Sequence, residues 1–157
     1  MTHVKTRLAE ARDLDAVAVL FDAYRQFYEK PADLALARRY LDERFQRRES
    51  VILVAEDADG AIVGFTQLYP AFCSVIADRT FVLYDLFVTP AARGTGAGRA
   101  LMEAAEAHGR KAGAARLELS TAHTNKIGQA LYESCGWVRD NAFYVYTKTL
   151  RDDRPGG

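Results

Sequence analysis

The chain has little of what marks the specialised protein classes. Its 157 residues contain only two cysteines, Cys73 and Cys135. No Cys-x-x-Cys pair and no Cys/His ligand spacing occurs. That argues against a zinc site or a disulfide scaffold, and for two reduced thiols. Lys+Arg and Asp+Glu both number 21, so the formal net charge is zero. The basic excess of a chain that lives on nucleic acid or anionic lipid is missing. No apolar run approaches the roughly 20 residues that span a bilayer. The first residues, Met1 to Arg7, contain no secretory h-region. A cytoplasmic location with neither membrane nor nucleic-acid partner is the expectation. There are four prolines and no low-complexity linker. One domain over residues 1–150 is expected, followed by a solvated tail, 151–157. A hydrophobic share of 49% and a charged share of 27% are ordinary for a globular protein. A chain of this size buries roughly 70% of its extended surface and needs no staple.

What is present is periodicity. Val4 to Leu8 reads as a short opening strand. Leu14, Val17, Phe21, Tyr24 and Tyr28 recur at steps of three and four, one face of a helix over about 13–28. Pro31 breaks the chain. Asp33 then caps a second helix carrying Leu34, Ala37, Leu41 and Phe45. The other face of that helix, with Arg38, Arg39, Arg44, Arg47 and Arg48, reads as solvated. Residues 51–56 and 62–68 flank the turn Asp57-Ala58-Asp59-Gly60 and form an antiparallel hairpin. Residues 81–88 make a central strand, 100–112 a helix, 116–121 a strand and 127–134 a short helix. Phe143 to Leu150, with alternating Tyr144 and Tyr146, reads as a closing strand. The order β-α-α-β-β-β-α-β-α-β predicts an α/β (α+β) mixed sheet, antiparallel early and parallel where helices cross over.

The informative segment runs from Val88 to Leu101. A strand ends, Gly94, Gly96 and Gly98 follow, and a helix begins. Glycine accepts φ > 0 and lets a ligand approach the backbone. The helix start presents unpaired N–H groups and a partial positive charge, a seat for phosphate. Arg93 and Arg99 add charge near the anion. Spacing separates the phosphate motifs. The dinucleotide pattern G-x-G-x-x-G fails, because Arg99 or Leu101 stands where the third glycine belongs. The P-loop pattern fails because Arg99 replaces its second glycine. The pattern [RQ]-x-x-G-x-[GA] is met by Arg93, Gly96 and Gly98. The alternative is a turn that merely packs helix on strand.

This run resembles the acetyl-CoA pyrophosphate loop of the GNAT superfamily of N-acetyltransferases. A second segment is similar to that family's other cofactor-side motif: Asn125, then Tyr132 seven residues on, then Gly136-Trp137. The resemblance covers residues 81–138 in motif and 4–150 in element order. It implies an acyl-CoA N-acyltransferase fold and direct attack of a primary amine on acetyl-CoA through a tetrahedral intermediate, without a metal. The implied acceptor is a small-molecule amine. A peptide or protein amine, and a non-catalytic acyl-CoA-binding module, are the alternatives. A homodimer is implied as well, with Phe143-Tyr144-Val145-Tyr146 as its edge.

The resemblance also assigns residues. Leu86, Phe87 and Val88 match the splayed strand whose backbone pairs with pantetheine and polarises the acetyl carbonyl. The loop of Arg93, Gly94, Thr95, Gly96, Ala97, Gly98 and Arg99 takes the pyrophosphate. Asn125 holds the pantetheine arm or caps the following helix. Tyr132 is the acid for the departing thiolate, or else a core aromatic.

The base is the open place. An amine of pKa ~10.4 needs about 4.6 kcal/mol to become neutral at pH 7. Where the family often has a Glu, the face-compatible positions are Val82, Tyr84 and Leu86. None is a carboxylate. Asp85 has opposite parity and points away unless a bulge turns it. The expected base is a water chain ordered by Tyr84, with Asp85 as the carboxylate alternative and Ser120 as the third candidate. Tyr24, Phe27, Tyr28 and Tyr69 are candidates to enclose the amine, and could equally be core or rim aromatics.

Overall fold

Four antiparallel and parallel pairings join the apolar runs into a five-stranded sheet of order β1-β2-β3-β4-β5. A computed structural model describes residues 3–152. The strands are β1 (Lys5–Leu8), β2 (Val51–Glu56), β3 (Ile62–Cys73), β4 (Asp78–Val88) and β5 (Arg116–Glu118). The helices are α1 (Leu14–Phe27), α2 (Leu34–Gln46), α3 (Ala97–Lys111) and α4 (Lys126–Ser134). β1 to β4 pair antiparallel, and β4 pairs with β5 in parallel. The return from antiparallel to parallel falls where α3 crosses over, as a parallel connection requires.

The helical stripes bury as read. Leu14, Val17, Phe21, Ala37 and Leu41 pack on Ile52, Val54 and Phe65, so α1 and α2 cover one face of the sheet. Leu101, Met102 and Ala105 pack on Leu53, Ala55, Leu68, Phe81 and Leu83, so α3 covers the other. Asp33 caps α2, its carboxylate accepting from the Leu36 N–H at 3.0 Å. The basic face of α2 is paired with acids: Arg38 with Asp15 and Asp42, Arg44 with Glu43 and Glu49. Pro70 is tolerated inside β3 because β2 reaches only Leu68, leaving that side of Pro70 without a strand. No helix is long and apolar enough to cross a membrane among the described residues.

Two elements differ from expectation. β3 runs on to Cys73, so Tyr69 and Phe72 lie in the strand and not after it. The closing strand is absent. Residues 138–150 hold no helix or strand, and Tyr146 is 92% exposed. Alternation makes a segment compatible with a strand, but a strand also needs an edge to pair with, and no strand among the described residues pairs with 143–150. Of the expected tail, only Arg151 and Asp152 are within the described residues.

Candidate active site

β4 and β5 pair only through Thr80, Phe81 and Val82 opposite Arg116, Leu117 and Glu118. Past Val82 the two strands part. Residues 83–88 therefore present a backbone edge with no strand beside it among the described residues. The chain leaves β5 as Ser120, Thr121 and Ala122, and these form the far wall of a cavity of about 960 Å³. Its other walls come from α1 (Phe21, Tyr24, Arg25, Tyr28), α2 (Leu36, Tyr40), β3 (Tyr69) and β4 (Val82, Tyr84, Asp85).

A bulge in β4 decides what faces that cavity. Gln67 pairs with Asp85 and Leu68 pairs with Leu83, which leaves Tyr84 as the extra residue. One extra residue reverses the alternation of everything after it. Tyr84 and Asp85 thus both line the cavity, and Leu86 packs on the α3 side. The expectation that Asp85 points away is corrected. So is the placing of Leu86 on the cavity face, which Val82 and Tyr84 do share.

Asp85 is 2% exposed. Its carboxylate accepts a hydrogen bond from the Gln67 amide, which in turn accepts from Ser50 Oγ at 2.8 Å. Burial pushes the carboxyl up to about 6, opposed by the bond from Gln67 and by the nearby Tyr24 hydroxyl. Tyr24 donates to the Tyr84 carbonyl at 2.9 Å. Burial, and then the Asp85 charge, drives its phenol well above the usual range. The hydroxyls of Tyr69 and Tyr40 lie 2.6 Å apart. Burial, and then that bond, raises Tyr69 likewise. The site is one buried carboxylate within a cage of phenols.

The glycine turn sits at the far end of the splay. Thr89 opens a 3₁₀ turn, Pro90–Ala92, and Thr95 Oγ1 bonds back to the Ala92 carbonyl. Gly94 and Gly96 have φ of +79° and +92°, and open space lies where their Cβ atoms would be. Gly96 is the N-cap of α3 and has no side chain to satisfy the helix start. The first helical bond runs from Ala100 N to Gly96 O at 2.9 Å. The N–H groups of Ala97, Gly98 and Arg99 have no helical carbonyl behind them. These residues fit a diphosphate. Gly98 differs from the other two glycines, since its Cβ would stand 3.4 Å from Leu131, where α3 and α4 close on each other.

The two arginines flank the turn, and each already has a partner. Arg93 lies over the Phe87 ring at 5.4 Å and donates to the Val88 carbonyl. Arg99 reaches Ser134 Oγ at 2.6 Å and Cys135 Sγ at 3.5 Å, so it ties α3 to the end of α4 instead of standing free at the turn.

Asn125 caps α4. Its Oδ1 accepts from Gly128 N at 3.1 Å, and its Nδ2 donates to Thr121 Oγ1 at 3.0 Å. A Cβ on Gly128 would lie 2.4 Å from that amide, which is why glycine stands there. Tyr132, in the next turns of α4, packs toward Trp137 with ring centroids 6.4 Å apart. Burial raises its phenol, with Tyr28 adding to the effect and Thr121 opposing it. Tyr132 packs against the α3-side cluster of Leu101, Met102 and Ala105 and is not one of the residues that line the cavity.

Of the aromatic candidates, Tyr24, Tyr28 and Tyr69 line the cavity. Phe27 does not. It is 64% exposed and stands edge-on to Tyr28. Sequence reading missed Arg25, Lys30, Leu36 and Tyr40 as wall residues. A turn-by-turn stripe of Phe21, Tyr24 and Tyr28 signals one apolar face. Nothing local says that α2 lays Leu36 and Tyr40 opposite it.

Residues 17–137 match the family model of the acetyltransferase (GNAT) family. The chain belongs to this family. The chain is 45% identical over 140 residues to the uncharacterized N-acetyltransferase YhfO of Bacillus subtilis (strain 168), covering 89% of this chain and 93% of that one. A crystal structure of a probable acetyltransferase superposes with a TM-score of 0.88 at 35% identity, over 95% of this chain and 99% of the other. The ribosomal-protein-alanine N-acetyltransferase of Brucella melitensis biovar Abortus 2308 superposes with a TM-score of 0.78 at 25% identity, over 93% and 100%. The mixed sheet with its four helices is thus the GNAT acyl-CoA N-acyltransferase fold.

Proposed function

We propose that this GNAT acetyltransferase moves an acetyl group from acetyl-CoA to the primary amine of a small molecule held in the cavity beside Asp85. The observation that carries this reading is the bulge at Tyr84, which turns a buried carboxylate into that cavity. The N–H groups of Ala97, Gly98 and Arg99, with Gly94, Thr95 and Gly96, would hold the pyrophosphate of the donor. The free edge of Leu86, Phe87 and Val88 would run beside its pantetheine arm, and Asn125 would hold that arm from the other side. Acetyl-CoA supplies the thioester.

The acceptor nitrogen bonds to the acetyl carbon, and the carbon–sulfur bond breaks. Asp85 takes the proton that leaves the nitrogen, and Tyr132 gives a proton to the departing thiolate. A carboxylate near 6 is charged at neutral pH and close enough to neutrality to serve as a base. Tyr24 and Tyr69 stay protonated and can donate hydrogen bonds. Tyr84 wraps the acceptor, with the water chain it would order and Ser120 as auxiliary routes for the proton.

The test is release of free thiol from acetyl-CoA across a panel of amino acids, polyamines, aminoglycosides and short peptides. Turnover of a small amine is expected. Peptides alone turning over would move the assignment to a protein acceptor, the reading that the likeness to a ribosomal-protein-alanine N-acetyltransferase favours. Uptake of acetyl-CoA with no thiol release from any amine would leave only a binding module. The two free cysteines, Cys73 and Cys135, suit a cytoplasmic setting.

The reading includes a homodimer. Residues 143–150 stand exposed, begin with the apolar run Phe143-Tyr144-Val145-Tyr146, and pair with no strand among the described residues. β5 ends the sheet with no strand beyond it among the described residues. A second copy offers the same pair of unmet surfaces, so each chain's 143–150 can add to the other's edge. Sedimentation should give a dimer for the whole chain and a monomer for Val145→Asp. A monomer in both would remove this part.

A further inference from the structure

Arg25 stands in the last turn of α1 and is one of the residues that line the cavity. Its Nη1 is buried with no hydrogen-bond partner, the one side-chain nitrogen or oxygen in that condition among the described residues. A buried guanidinium nitrogen left unpaired is costly, and natural proteins rarely leave one so without a use. The acids that could meet it are engaged. Asp22, one turn back, accepts from the Asp33 N–H and from the Gln26 amide. Asp85, in the same cavity, accepts from Gln67. Three other arginines of this half of the molecule show what a paired one looks like. Arg7 holds Asp13 and Glu56, Arg38 holds Asp15, and Arg44 holds Glu49.

We propose that Arg25 seats a carboxylate on the acceptor, so that the substrate of this protein is an amino-acid-like zwitterion. The inference rests on the acetyl-transfer reading of the cavity and names its substrate class. The guanidinium fork matches a carboxylate with two parallel hydrogen bonds. Lys30 lines the same wall and adds positive charge to it. The cavity is thus polarised, cationic at the α1 end and acidic at Asp85. An acceptor with its anion at Arg25 offers its amine to Asp85. A polyamine or aminoglycoside would bring ammonium groups against Arg25 and be disfavoured. A protein N-terminus has an amide where the carboxylate is required.

Matched pairs that differ only by that carboxylate test the idea: lysine against cadaverine, tyrosine against tyramine, phenylalanine against phenethylamine. The carboxylate member of at least one pair is expected to have a kcat/KM about 100-fold above its partner, the scale of a buried charge pair. Arg25→Gln should collapse that ratio at least tenfold, and Arg25→Lys should keep part of it. Equal rates within every pair, or a ratio unchanged in Arg25→Gln, overturns the proposal. Calorimetry of the same pairs, in the presence of coenzyme A, separates this from the reading beneath it. Uptake of a carboxylate member that Arg25→Gln abolishes upholds the seat even if no thiol is released, and then acetyl transfer is what falls. No uptake, or uptake indifferent to Arg25, overturns the seat.

Discussion

Asp85→Asn is expected to lower kcat by about two to four orders of magnitude near neutral pH, the usual worth of a positioned base, and at the same time to stabilise the fold. Both effects have one cause. Burial lifts the carboxyl from 3.8 to about 6. Below the lower value the group is protonated in both folded and unfolded chains and contributes nothing. Between the two values the unfolded chain ionises while the native one holds its proton, so stability falls as pH rises. Above about 6 the native chain carries a buried charge at a cost of about 3 kcal/mol. Asparagine keeps an oxygen for the Gln67 amide and removes that charge.

Urea melts should therefore show a gain of up to about 3 kcal/mol for the variant at pH 8, shrinking toward zero at pH 4. The wild-type rate should have an acidic limb near the Asp85 value, absent from the variant's residual rate. The groups facing Asp85 leave it as the source of such a limb. Tyr24 from α1 and Tyr69 from β3 are pushed well above the range, and His108 lies against Phe81 on the α3 side. An acidic limb retained in Asp85→Asn would take the base away from this residue.

Tyr132→Phe is expected to lower kcat with acetyl-CoA by about 100-fold while KM for acetyl-CoA stays near wild type. The substitution keeps the ring against Trp137 and removes only the hydroxyl. Coenzyme A departs as a thiolate of pKa ~8.5 that needs a proton. An acyl donor with a more acidic thiol needs it less, so the loss should shrink toward threefold with an activated aryl thioester. A merely structural Tyr132 would instead give a lower melting temperature, a raised KM and a similar kcat with both donors.

The helix starts and the glycine turn were legible because their causes are local. Asp33 and Asn125 cap the helices that follow them through atoms three residues away. Gly94 and Gly96 adopt φ values that their own covalent structure permits, whatever the rest of the chain does. Arg93 and Arg99 could be read as cations near the turn, but where each goes depends on Phe87 and on Ser134 in another helix.

The amino-acid order alone settled the element types from β1 to α4, the hairpin, the glycine turn and the family, since each is written in spacings of a few residues. Tertiary structure decided which way Asp85 faces, because a one-residue bulge against β3 reverses parity and leaves no mark in β4 itself. It also decided that five tyrosines and an unpaired Arg25 converge on one cavity, because α1, α2, β3 and β4 meet there only after folding. And it left 143–150 outside the sheet, because alternation specifies a strand but not the edge that receives it.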